Sequence, residues 1–76
     1  MELANRIRKI RESYKLTQSE VAARAEIAPQ TYGKIERRAS KTKFETLIKI
    51  SEALGVSLIF LVDLKNPNYI QEKNSL

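Results

Sequence analysis

Apolar residues recur at helical spacing in the first part of the chain. Between Glu2 and about Ser13 they fall three or four positions apart, so one side of a helix would be apolar. Those residues, with one just beyond the helix end, are Leu3, Ile7, Ile10 and Tyr14. The positions expected outside or at the edge of this apolar face are basic: Arg6, Arg8, Lys9 and Lys15.

A second and a third helix are predicted between Thr17 and Arg37. Thr17 and Glu20 have the spacing of a capping box, which starts one helix. Pro29 suits the first position of the next helix, because it lacks the N–H that would be unpaired there. The apolar residues are spaced as two helices crossing at a steep angle would bury them. They are Val21, Ala22, Ala25, Ile27, Tyr32 and Ile35.

A fourth helix is predicted after Thr42. Thr42 and Glu45 repeat the capping-box spacing, and Gly55 is the residue type that ends helices. The positions expected to face inward are Phe44, Leu47, Ile48 and Leu54.

The run from Ser57 to Leu64 lacks helical periodicity. It has no polar face and is rich in strand-forming residues, so we expect a short strand buried on both sides. A fifth helix is the alternative. An isolated strand has unpaired edges, and its simplest partner is the same strand of a second copy, antiparallel across a two-fold axis.

The predicted third helix carries side chains suited to DNA on its outward side. A carboxamide at Gln30 can bond N6 and N7 of adenine together, and an ammonium group at Lys34 can reach O6 or N7 of guanine. Thr31 can touch a thymine methyl group or a phosphate, and Gly33 would let the helix approach the bases closely. The predicted base-reading residues are Gln30, Thr31 and Lys34.

Four cations follow within seven residues at the end of this helix. Such a run is usually a solvated loop, but directly after a helix of this kind we expect it to contact the phosphate backbone. These contacts would raise affinity without selecting a sequence. The residues are Arg37, Arg38, Lys41 and Lys43.

The stretch TQSEVAARAEIAPQTYGKIER resembles the helix-turn-helix of the phage repressor and Cro (XRE) family, and the resemblance runs from about Leu3 to Leu58. It implies a mainly α, lambda-repressor-like DNA-binding fold with four or possibly five helices. Two positions depart from the family pattern. Glu26 replaces the usual turn glycine and Arg38 replaces the glycine after the third helix, and either position can require a left-handed backbone.

The same resemblance assigns roles to individual residues. Gln18, at the start of the second helix, would bind a backbone phosphate. Arg11 and Glu36 would form a partly buried ion pair between the first and third helices. This pair is expected to be structural, because removing either member would leave an uncompensated charge. Independently of the resemblance, Tyr32 could pack in the core or contact a phosphate, and the core role is favoured.

The stretch LGVSLIFLVDLKNPNYIQEKNSL resembles the C-terminal part of HipB-like antitoxins, in which a strand after the helix-turn-helix domain builds an intermolecular sheet. Three segments are implied: a DNA-binding domain (1–56), a dimerisation strand (57–64) and a polar, disordered tail (65–76). The predicted dimer-interface residues are Leu58, Ile59, Phe60, Leu61, Val62 and Leu64.

Composition narrows the function. A chain of 76 residues suits one small domain, and a net charge of +5 favours a polyanionic partner such as DNA. The sequence has no cysteine and no histidine, so the usual thiolate ligands and the commonest general base are missing. We therefore predict no enzyme, metal or cofactor. The N-terminus lacks the apolar core of a signal peptide, so a cytoplasmic protein, bacterial or phage-encoded, is expected.

These features predict a homodimeric transcriptional repressor that binds a palindromic operator in double-stranded DNA. As a HipB-like antitoxin it would repress its own operon and bind a HipA- or HipT-like kinase toxin. Two alternatives stay open. One is a phage or restriction-modification controller with the same DNA chemistry and no toxin. The other is a protein-interaction module whose basic surface meets an acidic partner.

Overall fold

Residues 2–72 are described by a computed structural model, and within them the chain forms five α-helices and no strand. The helices are α1 (Glu2–Ser13), α2 (Gln18–Arg24), α3 (Pro29–Arg37), α4 (Phe44–Leu54) and α5 (Leu58–Val62). A short 3-10 helix, Ala39–Lys41, joins α3 to α4. The prediction of a mainly α fold is confirmed, and the number of helices is five.

The core lies where the apolar faces of the five helices meet. Every apolar position predicted for α2 and α3 is buried except Ile27, which is partly buried at the corner between them. On α4 the prediction was wrong for Phe44, because it opens the helix and is 64% exposed. The largest fully buried side chains are Tyr32, Ile7, Ile10, Ile50, Leu61 and Val21.

The start of α2 has the predicted capping box. The backbone N–H of Glu20 donates to Thr17 Oγ1 at 3.1 Å, and the backbone N–H of Thr17 donates to Glu20 Oε1 at 2.9 Å. These hydrogen bonds lower the pKa of Glu20. The second predicted box is absent, because α4 begins one residue later than expected, with Lys43 as an N-cap that makes no side-chain bond.

The strand predicted from residue 57 to residue 64 is wrong, because Leu58–Val62 form α5. Ser57 caps this helix by accepting a hydrogen bond from the N–H of Phe60 at 3.0 Å. The helix then packs on α1 and α4 and buries Phe60 and Leu61 in the core of its own protomer.

Because residues 58–62 are helical, the six predicted dimer-interface residues are divided between the core and the surface of the protomer. Phe60 and Leu61 belong to the core of the protomer itself and are not available to a partner. Leu58 is partly buried against the same core. The outward apolar residues are Ile59, Val62 and Leu64, which are 80%, 39% and 45% exposed.

A disordered tail was predicted from Lys65, and the structure differs for residues 65–72. These residues turn back onto α1, where Tyr69 packs against the core and the N–H of Gln71 donates to Tyr14 Oη at 2.9 Å. Beyond the predicted boundary at residue 56, α5 packs into the same core as α1 and α4. Residues 73–76 of the predicted tail lie outside the described part of the chain.

Two residues have a left-handed backbone that favours glycine. Glu26, in the turn between α2 and α3, has φ of 57°, as its place in the motif predicted. Lys15 also has φ of 57°, which the sequence did not indicate. Arg38 has φ of −158°, an extended conformation open to any residue, so the second departure from the family pattern causes no strain.

Candidate nucleic-acid interface

The third helix has one buried side and one exposed side. Tyr32, Ile35 and Glu36 are buried, which fixes the rotation of α3 about its axis. That rotation turns the three residues predicted to read bases, and the cation after them, toward solvent. The exposed residues are Gln30, Thr31, Lys34 and Arg37.

Cationic side chains form one continuous surface beside this helix. A depression is lined by Lys34, Arg37, Arg38 and Lys41. The adjoining groove is lined by residues of α3, the α3–α4 connection and α4, among them Thr31, Thr42 and Lys43. In the part of the chain that the structure describes, no acidic residue lines either one. Five positive charges on a surface without carboxylates attract a polyanion.

The predicted Arg11–Glu36 ion pair is present and joins α1 to α3. Arg11 Nε lies 2.6 Å from Glu36 Oε2, and Arg11 Nη2 lies 3.0 Å from Glu36 Oε1, so the pair is bidentate. Arg11 Nη1 also donates to the carbonyl oxygen of Leu16 at 2.8 Å. The arginine therefore holds the entry to α2 as well as the end of α3.

Burial by itself would raise the pKa of Glu36. The hydrogen bonds from Arg11 and Gln18, together with the Arg11 charge, outweigh it, and the pKa lies below its ordinary value. The carboxylate is therefore ionised at neutral pH despite a side chain that is 1% exposed.

Gln18 takes part in this network. Its amide nitrogen donates to Glu36 Oε1 at 3.0 Å. The predicted bond from Gln18 to a phosphate needs that same nitrogen as the donor, since the other end of the amide is an acceptor. In this structure Gln18 links α2 to α3, and because its amide nitrogen carries two hydrogens, the second N–H can still donate to a phosphate.

Tyr32 has the predicted core role. It is fully buried, and its hydroxyl oxygen makes no hydrogen bond with the described residues. Burial, and next the nearby Glu36 carboxylate, raise the pKa of Tyr32 far above its ordinary value. It remains a neutral phenol and is not available to a phosphate.

Gly33 lies on α3 next to side chains of the candidate interface. A Cβ atom placed there would be 3.7 Å from Arg37 Nη1 and 3.9 Å from Gln18 Oε1, both ordinary contact distances. The protein's own packing therefore does not require glycine at this position.

The helix-turn-helix family model matches residues 7–61, most of the chain. This chain belongs to the XRE-type helix-turn-helix family. That membership identifies a sequence-specific DNA-binding protein with a lambda-repressor-like fold and a role in transcription regulation, and the family is not enzymatic. No curated protein and no solved structure matches the chain significantly.

The XRE-type domain includes a buried arginine on α1. Arg6 was expected outside or at the edge of the apolar face of α1, but it is 4% exposed and donates to carbonyl oxygens of α5 and the following segment. A signal was available, because Arg6 is three residues after Leu3 and four before Ile10, the spacing that places it beside the apolar face. Its partners are distant in sequence, so that spacing alone could not identify them.

None of the helices in residues 2–72 is both long and apolar enough to cross a membrane. Within the same residues, no group of carboxylate, histidine or cysteine side chains could hold a metal ion.

Proposed function

We propose that this XRE-type protein is a homodimeric transcriptional repressor that reads an inverted repeat in double-stranded DNA. The observation that carries the proposal is that the predicted base-reading residues of α3 and the cations lie on one exposed surface. Gln30 and Thr31 are exposed near its start, and the cation-lined depression that begins at Lys34 adjoins them. Such a surface offers hydrogen-bonding groups for base edges and cations for the phosphates on either side.

The roles divide along the surface. In the proposed complex Gln30 bonds adenine, Lys34 bonds guanine one turn later, and Thr31 touches a thymine methyl group or a phosphate. The cations beyond Lys34 neutralise phosphates and raise affinity for any sequence. These proposed phosphate contacts are Arg37, Arg38, Lys41 and Lys43.

The dimer would form through the outward side of α5. Ile59 is 80% exposed, and Val62 and Leu64 add apolar surface next to it. A second copy covering the same residues gives a two-fold interface, which matches a palindromic site. Two recognition helices would then enter successive major grooves about 34 Å apart.

The choice between an antitoxin and a phage-type controller depends on the C-terminal region. The HipB-like prediction, with its kinase toxin, relied on a strand at residues 57–64. Because residues 58–62 are helical, as is usual in the phage repressor family, we favour a phage or restriction-modification controller without a toxin.

The proposal is tested by selecting binding sites from a random DNA library with the full chain. An enriched inverted repeat, bound by a dimer with an affinity that falls steeply as salt rises, would support it. A selection without an inverted repeat would contradict the dimeric operator. Equal binding to an acidic polypeptide and to the selected DNA would instead favour the protein-interaction module.

A further inference from the structure

Arg6 is a buried cation without a carboxylate partner among the described residues. Its Nε and Nη2 atoms donate to the carbonyl oxygen of Phe60 at 3.0 and 2.7 Å. Its Nη1 atom donates to the carbonyl oxygens of Asn66 and Asn68 at 2.9 and 3.0 Å. The guanidinium therefore holds the end of α5 and the segment after it at the same time.

Two aromatic rings complete the surroundings of this cation. The guanidinium carbon of Arg6 lies 4.7 Å from the ring centre of Phe60 and 5.6 Å from that of Tyr69. Cation–π contacts are stronger where water is excluded, so both rings contribute to holding the buried charge. Tyr69 belongs to the segment after α5, and its ring covers Arg6 only while that segment is docked.

Gln71 fixes the other end of the same segment. Its side-chain oxygen accepts from the N–H of Ser57 at 2.7 Å, and its side-chain nitrogen donates to Ser57 Oγ at 3.1 Å. Ser57 is the N-cap of α5. We call residues 63–72 the strap. The strap hydrogen-bonds to Ser57 at the start of α5, and its backbone carbonyls accept from the same Arg6 guanidinium that binds the end of α5.

A helix of five residues is far too short to be stable alone. The order of α5 depends on its packing and on the groups that satisfy its ends. Its outward side carries Ile59 and Val62, the apolar surface assigned above to the second copy. Anything that loosens α5 therefore alters that surface.

We propose that the strap is a regulatory device: its docking on Arg6 and Ser57 keeps α5 in place, and its release weakens the dimer. The regulatory part rests on the proposed homodimer. The coupling between strap and α5 does not, because it follows from contacts within one protomer. Release of the strap would lower operator affinity, because a monomer contacts only one half-site. The residues of α3 would be unchanged.

Two mild substitutions loosen the strap by removing hydrogen bonds of Gln71. Tyr14→Phe removes the hydroxyl that accepts from the N–H of Gln71, and Gln71→Ala removes both side-chain bonds to Ser57. Asn68→Ala is the matched control, since Arg6 bonds only the backbone carbonyl at that position. Arg6→Lys keeps the charge but loses the planar fork that reaches all three carbonyl groups.

Hydrogen exchange of the intact chain reads the coupling directly. In Gln71→Ala we expect the amides of Phe60 and Leu61 to exchange about tenfold faster, while the amides of Val21 and Ala25 in and beside α2 are unchanged. Tyr14→Phe should act in the same direction, and Asn68→Ala should match the wild type. Unchanged exchange in α5, or an equal increase in every helix, would overturn the proposal.

Sedimentation of the same variants tests the regulatory part. We expect the dimer dissociation constant to rise about tenfold in Gln71→Ala and to stay at the wild-type value in Asn68→Ala. Faster exchange in α5 with an unchanged dimer would overturn the regulation. A wild-type chain that is monomeric and binds no palindrome would contradict the proposed function itself, and the exchange result would still report on the strap.

Discussion

Arg11 Nε lies 2.6 Å from Glu36 Oε2, and this contact ties the first helix to the end of the recognition helix. The carboxylate also accepts from the Gln18 amide at 3.0 Å, so three helices meet at one buried negative charge. The opposite side of α3 presents Gln30 and Lys34 to solvent. The buried network thereby sets which way the proposed base-reading residues face.

The ion pair should make stability depend on acidic pH. The folded-state pKa of Glu36 lies below its unfolded value, which is about 4.3. Its contribution is complete above the unfolded value and is lost as pH falls through the folded pKa. We expect Glu36→Gln to lower the free energy of unfolding by about 3 kcal/mol at pH 7, because Arg11 loses its charge partner.

Urea denaturation at pH 7 and pH 3 measures this effect. The difference between wild type and Glu36→Gln should shrink at pH 3, because below the unfolded pKa the unfolded chain takes up a proton at Glu36 that the folded carboxylate resists. Glu52→Gln removes an exposed carboxylate and is the control, with an expected change within about 0.5 kcal/mol. A gap of the same size at both pH values would rule out the titration of Glu36 as its cause.

Gln30 should contribute specificity and Lys41 only affinity. We expect Gln30→Ala to weaken binding to the selected operator by about 1 to 3 kcal/mol and to leave binding to random DNA nearly unchanged. Lys41→Ala should weaken both equally and reduce the dependence of affinity on salt. Fluorescence anisotropy on the two DNAs at several salt concentrations separates these outcomes. Equal losses for Gln30→Ala would remove its base-reading role.

The helix-turn-helix was predictable because its signals are local. The capping box of Thr17 and Glu20, the position of Pro29 and the helical spacing of apolar residues all act within a few residues. The orientation of α3 followed from the same spacing, because burial of Tyr32 and Ile35 leaves Gln30 outside.

The C-terminal region was not predictable in the same way. An all-apolar run has no period from which to choose helix or strand. Ser57 is a local cap signal, but the burial of Phe60 and Leu61 depends on packing against α1 and α4, which the run itself does not show. The role of Arg6 depends on carbonyl groups at Phe60, Asn66 and Asn68, which are more than fifty residues away. Every residue has a backbone carbonyl, so the residue types at these positions do not indicate which carbonyls Arg6 binds.

The proposed dimer predicts a specific effect of charge on α5. Ile59 is 80% exposed in the protomer, so Ile59→Asp should leave the fold intact and place a charge in the two-fold interface. We expect a monomer in sedimentation and the loss of operator binding. Asn5→Asp adds the same charge at an exposed position on α1 and should remain dimeric. An intact dimer in Ile59→Asp would exclude this interface.

Gly33 should reveal whether α3 approaches the bases closely. Gly33→Ala should raise the free energy of unfolding by up to about 1 kcal/mol, because alanine is the better helix former and its Cβ meets only ordinary contacts. If the helix lies deep in the groove, the same methyl group should weaken operator binding. A more stable variant with wild-type operator affinity would show that the glycine is not needed for the approach.

Glu26 and Arg38 form a matched pair for backbone strain. Glu26 has φ of 57°, and Arg38 has φ of −158°, although both stand where the family usually has glycine. Glu26→Gly should raise the free energy of unfolding by about 0.5 to 1 kcal/mol, since relief of the left-handed conformation exceeds the entropy cost of glycine. Arg38→Gly brings only that entropy cost and should destabilise by a similar amount. Thermal unfolding of both variants measures whether each change raises or lowers the free energy of unfolding. A stabilising Arg38→Gly would mean that the extended conformation is strained.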